Sequence, residues 1–537
     1  MAILSEKEQC TILGQPVTLP CGLVLPNKLI KVAMEEMLGE GGRPSELLEA
    51  LYETWAEGGW GMVLSGNVQV SPDQLGTGSD VPVPLSLSSD AVSGPKNSFA
   101  SWARAARSGS APPSSAPSSS SSSAPQHRTI NILQLNHPGR QSSRFFCGHS
   151  PLTPALAPSA VALSPAKGLL GKLLGQLLWG TPKEMTEEDI DEVVRAFVRG
   201  ARVAKETGWD GVELHASHGY LLAQFMSPQT NLRSDAYGGS ARKRLTLLFR
   251  LIDAIRADFP QNSGFCLGVK LNASDYVKGG LTEQDALDNV KWIAEHGGVD
   301  FVEISGGSYE SPEFMSTSTA DQGLKRPSSA AREAFFDTFS HRARWVLSTL
   351  PPSTLPSPVP LILLTGGLRT RLGMVRAVHS PTKSPPTADL IGLARPAAAD
   401  PFLPRRLLSP TVPAAEARAP VYDALSGVRW LRALFGWITL AGPGLDILWH
   451  VLVMRQIALR RREEKRRQRE LYGEEVDGEG EKNGGAVRAG AAGDAYPLSN
   501  TWVLAWRTLV LPIVPRWVFG LAGAVVVALI GKRWGSL

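Results

Sequence analysis

GVELHA, residues 211–216, is too short and too continuously apolar for an amphipathic helix and suits a strand buried on both faces. A helical pattern precedes it over residues 189–207 and another follows over 242–258, so it reads as the strand of a β/α repeat. Seven further runs have the same character: LIKVAM (from Leu29), GMVLSG (from Gly61), INILQLN (from Ile130), CLGVKLN (from Cys266), DFVEISGG (from Asp300), PLILLTGG (from Pro360) and DLIGLARP (from Asp389). More helical patterns lie at 46–57, 283–296, 330–347 and 372–379. Eight strand and helix units in roughly 400 residues predict one (β/α)8 TIM barrel. Two smaller α/β domains are the alternative, but no composition break divides the series.

The chain has 537 residues, 43% of them hydrophobic and 20% charged, which excludes a disordered or fibrous protein. Its four cysteines, Cys10, Cys21, Cys147 and Cys266, show no CxxC spacing, so no disulfide framework, structural zinc, iron–sulfur cluster or other metal centre is expected. The net charge of +5 belongs to the tail. From Pro401 onward there are 19 Lys+Arg against 12 Asp+Glu, and before it 36 against 38. A nucleic-acid partner is therefore not expected.

The barrel is assigned to residues 1–408, with a Ser-rich insertion at 108–126 that buries too little apolar area to order itself. Residues 164–182 contain AKGLLGKLLGQLLWG, an amphipathic helix of the loop after the third strand. Residues 409–472 form an apolar and then basic helical extension, in which Pro443, Asp446 and His450 interrupt the apolar part and RRREEKRRQRE follows from Arg460. Residues 473–500 read as a linker. Within 501–537 the uncharged stretch 517–531, closed by Lys532 and Arg533, resembles a C-terminal membrane anchor, with an interfacial helix or a helix docked on the barrel as alternatives. The expected location is the cytoplasmic face of an internal membrane such as the endoplasmic reticulum, otherwise the cytoplasm.

Loops after the strands build the active site of such a barrel. The third strand ends in QLNHPGRQ with Gln134, His137 and Arg140, the fourth in HASHGYLLAQF with His215, His218 and Tyr220, and the fifth in KLN with Lys270 and Asn272. Two imidazoles three residues apart with a tyrosine two further on are an unusual cluster. The seventh strand runs into TGGLRTR and the eighth into GLARP, positions where backbone N–H groups of such barrels commonly hold a phosphate. Gly366 and Gly367 admit close approach, and Arg395 adds a charge-assisted contact. These loops alone also fit a phosphorylated sugar bound without flavin.

ELHASHGYLLAQFMSPQTNLRSDAYGGSARKR, residues 213–244, resembles the signature of the old yellow enzyme family of flavin-dependent NAD(P)H oxidoreductases. QLNHPGRQ, GVKLN, EISGG, TGGLRTR and GLARP follow that family's order, and GRPS with LYETWAEGGWGMVLSGNV points to its fungal branch. The resemblance implies an FMN barrel that reduces activated alkenes such as enones with NADPH or NADH by a ping-pong route. It places Ala33 and Met34 along the flavin, Gly66 and Gln134 at its pyrimidine edge, Lys270 facing N1 and O2, and Gly367, Ala394 and Arg395 on the phosphate. It gives His215 and His218 to the substrate oxygen and Tyr220 to proton delivery at the α-carbon.

The chain departs from the family in two places. Glu35 occupies the position after the AM dipeptide where a Thr, Ser or Cys usually tunes the flavin, and an ionised carboxylate there would disfavour the anionic reduced cofactor. Glu35 is then protonated, turned away, or the mark of a slow enzyme. The extension beyond Leu408 is the second departure. Together they motivate the alternative of a membrane-associated flavin-binding protein with weak or lost reductase activity.

Overall fold

The computed structural model describes residues 4–89, 92, 97–107, 128–145, 148, 150–164, 168–275, 277–305, 329–356, 358–380, 385–422 and 441–472. Eight strands form the ring: β1 (Leu29–Lys31), β2 (Met62–Gln69), β3 (Ile130–Asn136), β4 (Gly211–Ala216), β5 (Cys266–Asn272), β6 (Phe301–Ser305), β7 (Leu361–Thr365) and β8 (Leu390–Leu393). Each pairs in parallel with the next, and β8 returns to β1 through Ile391 opposite Leu29 and Leu393 opposite Lys31, which closes the barrel. A two-residue strand, Val81–Pro82, adds to the end of β2.

The helices start where the side chains supply N-caps. The Ser45 hydroxyl accepts from Leu48 N–H at the head of α1 (Glu46–Glu57), and capping boxes Thr186/Asp189 and Thr282/Asp285 open α2 (Glu187–Thr207) and α4 (Glu283–His296). Between them, α3 is Thr246–Asp258, a turn shorter at its start than the sequence pattern, because Lys243–Leu245 is a 3-10 turn. Further along are α5 (Ser329–Thr349) and α6 (Arg371–Val378). The loop helix anticipated within 164–182 is Gly168–Leu178.

Val32, Met62, Leu64, Ile132, Phe301 and Leu363 pack in the core together with Leu19, Cys21 and Leu25, which come from the N-terminal hairpin Val17–Thr18/Val24–Leu25. Gly268 is required in β5, since a Cβ there would collide with the Phe301 ring. Filling one end with apolar side chains leaves the strand C-termini as the open end, where the site lies.

Helix α7 (Ala441–Tyr472) carries the extension. The first of two compact units ends at Lys465, so most of α7 belongs with the barrel, and its residues Trp449, Leu452, Met454, Ile457 and Ala458 are buried. Arg461 pairs with Glu53 and Glu57, and Lys465 with Glu53 at 3.0 Å, so part of the basic run is held by α1. Among the described residues no helix is long and apolar enough to cross a membrane. The Ser-rich insertion 108–126 and the segments 473–500 and 501–537, with the anchor expectation, lie outside the described residues.

Candidate active site

A cavity of about 310 Å³ opens at the C-terminal ends of the strands, within the size range of small-molecule sites, roughly 300–1,000 Å³. It collects Ala33, Met34, Glu35, Gln134, His215, His218, Tyr220, Lys270, Gly366, Gly367, Ala394 and Arg395, residues spread over 360 positions of sequence to within a few. Of the residues expected to touch cofactor or substrate, Gly66 is not in its wall, and the strand-end candidates His137, Arg140 and Asn272 also lie outside it. A register shift between Leu64 and Asn67 turns the β2 backbone there, and Gly66 N–H donates to Glu36 Oε1 at 3.0 Å instead of facing the cavity. The same bulge carries Asn67 and Gln69 into the wall.

The histidine pair belongs to a continuous chain. Asn67 Oδ1 is 2.7 Å from His215 Nδ1, His215 Nε2 is 3.0 Å from His218 Nδ1, and His218 Nε2 is 2.9 Å from Ser305 Oγ. The two rings meet edge to face at 5.1 Å, and the Tyr220 ring lies 4.6 Å from that of His215. Burial, with the neighbouring His218 ring and the Lys270 charge, holds His215 well below the ordinary imidazole range, and burial with Lys270 does the same for His218, so both are neutral near pH 7. His218 adopts φ 59, a left-handed conformation uncommon outside glycine, and its N–H donates to Asn272 Oδ1 at 3.0 Å. The polar residues of the turn after β3 are structural: His137 Nδ1 accepts from Gly139 N–H, and Arg140 reaches the Val161 and Ala162 carbonyls.

Glu35 faces the cavity and is half-buried. Asn67 Nδ2 lies 2.9 Å from its Oε2, and burial, reinforced by the charges of Asp80 and Glu36, raises its carboxyl well above the usual range. Of the outcomes open at this position, the turned-away one is excluded, and the surroundings disfavour the ionised carboxylate. Asp80 differs because it accepts from Gln69 Nε2, from Gly76 and Thr77 N–H and from Thr77 Oγ1. Burial raises the Asp80 carboxyl too, but these four donors oppose the rise, whereas Glu35 has fewer donors to offset its own.

Three acidic residues escaped the sequence reading. Lys270 Nζ is 2.8 Å from Glu303, and Gln134 Nε2 donates to Glu213 at 2.5 Å. Burial and the neighbouring Glu303 charge push the Glu213 carboxyl well above its ordinary range, Lys270 opposing. Glu36 in turn holds Lys31 and Tyr52. The available signal was a charged residue inside an otherwise apolar strand, which a doubly buried strand admits only with a partner. Elsewhere in the barrel Cys21, Cys266 and Asp300 lie together, but the Asp300 carboxylate is committed to Arg256 and Leu267 N–H.

The donor set fits FMN. Gly366 and Gly367 adopt φ 120 and 76 at the end of β7, Thr365 Oγ1 beside them is buried with no hydrogen-bond partner among the described residues, and Ala394 and Arg395 complete that end of the cavity. Lys270 and Gln134 stand in the same wall. Two features of this end come from the extension: Ile447 lines the cavity, and Asp446 Oδ2 is 3.1 Å from Arg395 Nη1.

Comparison with known proteins agrees with this arrangement. The profile of the NADH:flavin oxidoreductase / NADH oxidase family matches residues 129–327. An NADH-dependent flavin oxidoreductase (iliE) of Hypocrea jecorina is 38% identical over 73% of this chain and 88% of its own length. Its namesake from Neonectria sp. is 38% identical over 74% of this chain, which spans about half (47%) of that relative. In structure the chain is similar to the old yellow enzyme homologue from Zymomonas mobilis, with a TM-score of 0.53 at 19% identity over 76% of this chain and 99% of the other. That likeness carries the fold, the Hypocrea relative carries the family, and the cavity supplies groups for the cofactor: the chain belongs to the NADH:flavin oxidoreductase / NADH oxidase family of FMN-dependent oxidoreductases.

Proposed function

We propose that this chain reduces activated C=C bonds, such as those of enones, at the expense of NADH or NADPH. When bound, FMN supplies the hydride chemistry, taking hydride from the nicotinamide and passing it to the β-carbon of the alkene. The protein's part is to bind, orient and protonate. Gly367, Ala394 and Arg395 hold the phosphate, and Lys270 and Gln134 take the polar edge of the ring, with Glu303 and Glu213 locking those two side chains in place. His215 and His218 present ring N–H groups to the electron-withdrawing oxygen, and Tyr220 delivers the proton to the α-carbon. Each donor to such an oxygen is worth about 2.7–4 kcal/mol in comparable sites.

The observation that carries this reading is the convergence of His215, His218 and Tyr220 on the same cavity as Lys270 and Arg395. The test is anaerobic: the yellow protein is bleached with NADPH or NADH, then mixed with cyclohexenone. Rapid reoxidation with cyclohexanone as product is expected. Bleaching followed by reoxidation with oxygen alone would overturn the alkene assignment.

A further inference from the structure

We propose that Glu35 and Asn67 are positioning residues that decide which ring nitrogen of His215 carries the proton, and so whether the histidine pair can donate to a substrate oxygen. The proposal rests on the reading above that these histidines bind that oxygen.

Five side chains form a hydrogen-bonded chain whose polarity can run either way. Glu35 Oε2 and Asn67 Nδ2 are 2.9 Å apart, Asn67 Oδ1 and His215 Nδ1 2.7 Å, His215 Nε2 and His218 Nδ1 3.0 Å, and His218 Nε2 and Ser305 Oγ 2.9 Å. A primary amide can occupy the same space after a half-turn that exchanges its oxygen and nitrogen. Asn67 therefore has two orientations, and the neighbours on its two sides choose between them.

If Glu35 is ionised it can only accept, so Asn67 Nδ2 must point at it and Asn67 Oδ1 must accept from His215. A neutral His215 then carries its proton on Nδ1. Its Nε2 is bare and accepts from His218 Nδ1–H, which leaves His218 Nε2 bare as well and accepting from the Ser305 hydroxyl. Neither histidine offers an Nε2–H to the cavity.

If Glu35 is protonated the polarity reverses. Met37 N–H already donates to this carboxyl, so one oxygen acts as acceptor while the other can carry the proton. The hydroxyl of that acid donates to Asn67 Oδ1, and Asn67 Nδ2 donates to His215 Nδ1. His215 then holds its proton on Nε2, and His218 likewise. Both Nε2–H groups become donors, to His218 Nδ1 and Ser305 Oγ in this structure, and to a substrate oxygen that displaces those acceptors, the arrangement that polarises an enone. A Thr, Ser or Cys at position 35 can take either role, whereas a carboxyl couples the choice to its own proton.

The groups around the switch disfavour the ionised form of Glu35. Asp80, from the loop after β2, and Glu36 face it with negative charge, and Lys31 and Tyr52 are its further titratable neighbours. Around His215 stand His218 and the Lys270 cation. Both histidines stay neutral, so the tautomer and not the charge is what Glu35 controls.

The test uses the full chain with FMN, 15N-labelled at histidine and 13C-labelled at glutamate carboxyls. The His215 and Glu35 signals are identified by their loss in His215→Ala and Glu35→Gln. At every pH where the Glu35 carboxyl is protonated, His215 should carry its proton on Nε2. As Glu35 ionises the proton should move to Nδ1, and the affinity for p-chlorophenol, a probe of the oxygen site, should fall at least tenfold. In Glu35→Gln neither the tautomer nor the phenol affinity should follow pH over that range, apart from the phenol's own ionisation. An Nδ1–H tautomer while Glu35 is protonated would overturn the proposal, as would an unchanged pH limb in Glu35→Gln. If His215→Ala leaves phenol affinity intact, the oxygen-site reading fails instead, and the NMR result still decides the coupling.

Discussion

The Asp446 carboxylate of α7 sits 3.1 Å from the Arg395 guanidinium at the mouth of the barrel. Arg395 is the cation assigned to the cofactor phosphate, so one arginine faces two anions, one from the chain itself and one from the ligand. Asp446 is buried and lies near the Arg395 end of the cavity, and like charges about 10 Å apart repel by about 1–2 kcal/mol at an effective dielectric near 20. Asp446→Asn should therefore tighten FMN binding about tenfold. Riboflavin, which lacks the phosphate, should bind both forms equally. Flavin fluorescence quenching measures both constants, and equal tightening of the two ligands would remove the phosphate from the explanation.

Tyr220→Phe keeps the ring against His215 and removes the acidic proton. General-acid contributions are typically 10²–10⁴-fold. Alkene-driven reoxidation should slow by about two orders of magnitude, while bleaching by NADPH keeps its rate. Stopped-flow absorbance separates the half-reactions, and equal slowing of both would exclude Tyr220 as the donor.

Asn272→Ala removes the oxygen that accepts the His218 N–H and leaves that donor buried in a left-handed turn. The loss of a partner for a buried donor costs about 1–3 kcal/mol. A lower urea midpoint is expected, together with weaker phenol binding at unchanged flavin content. A stable variant with normal phenol affinity would show that the turn holds itself.

Stability should respond to pH from two sides. His215 and His218 stay unprotonated in the fold far below 6.5, so the unfolded chain binds more protons there and stability falls as pH drops below about 6.5. Glu35 and Glu213 stay protonated well above 4.5, so the unfolded chain releases protons first and stability falls as pH rises above about 4.5 toward their folded values. Glu213→Gln should flatten the alkaline side of the profile and leave the acidic side. Chemical denaturation across pH reads both slopes, and an unchanged alkaline side would mean that Glu213 is ionised in the fold.

Much of this protein was legible from local pattern. β3, β4 and β5 have the limits that their apolar runs announce, and α1 and α4 begin and end where their caps do. Once the order of strands is known, the end of each strand predicts what enters the cavity, which is how residues as distant as Ala33 and Arg395 could be assigned to one site. What local pattern cannot carry is the direction of a backbone amide or the partner of a buried charge. The bulge at Gly66 turned an expected cofactor contact toward Glu36, and Glu213 and Glu303 drew meaning only from their closeness to Lys270 and Gln134. The upward shift of the Glu35 carboxyl depends on burial and on Asp80, 45 positions away, and the contact of Asp446 with Arg395 depends on a helix that no barrel motif foretells. Strand and helix follow from side chains a few residues apart, whereas these features are sums of charge and exclusion from water over neighbours that only the closed barrel brings together.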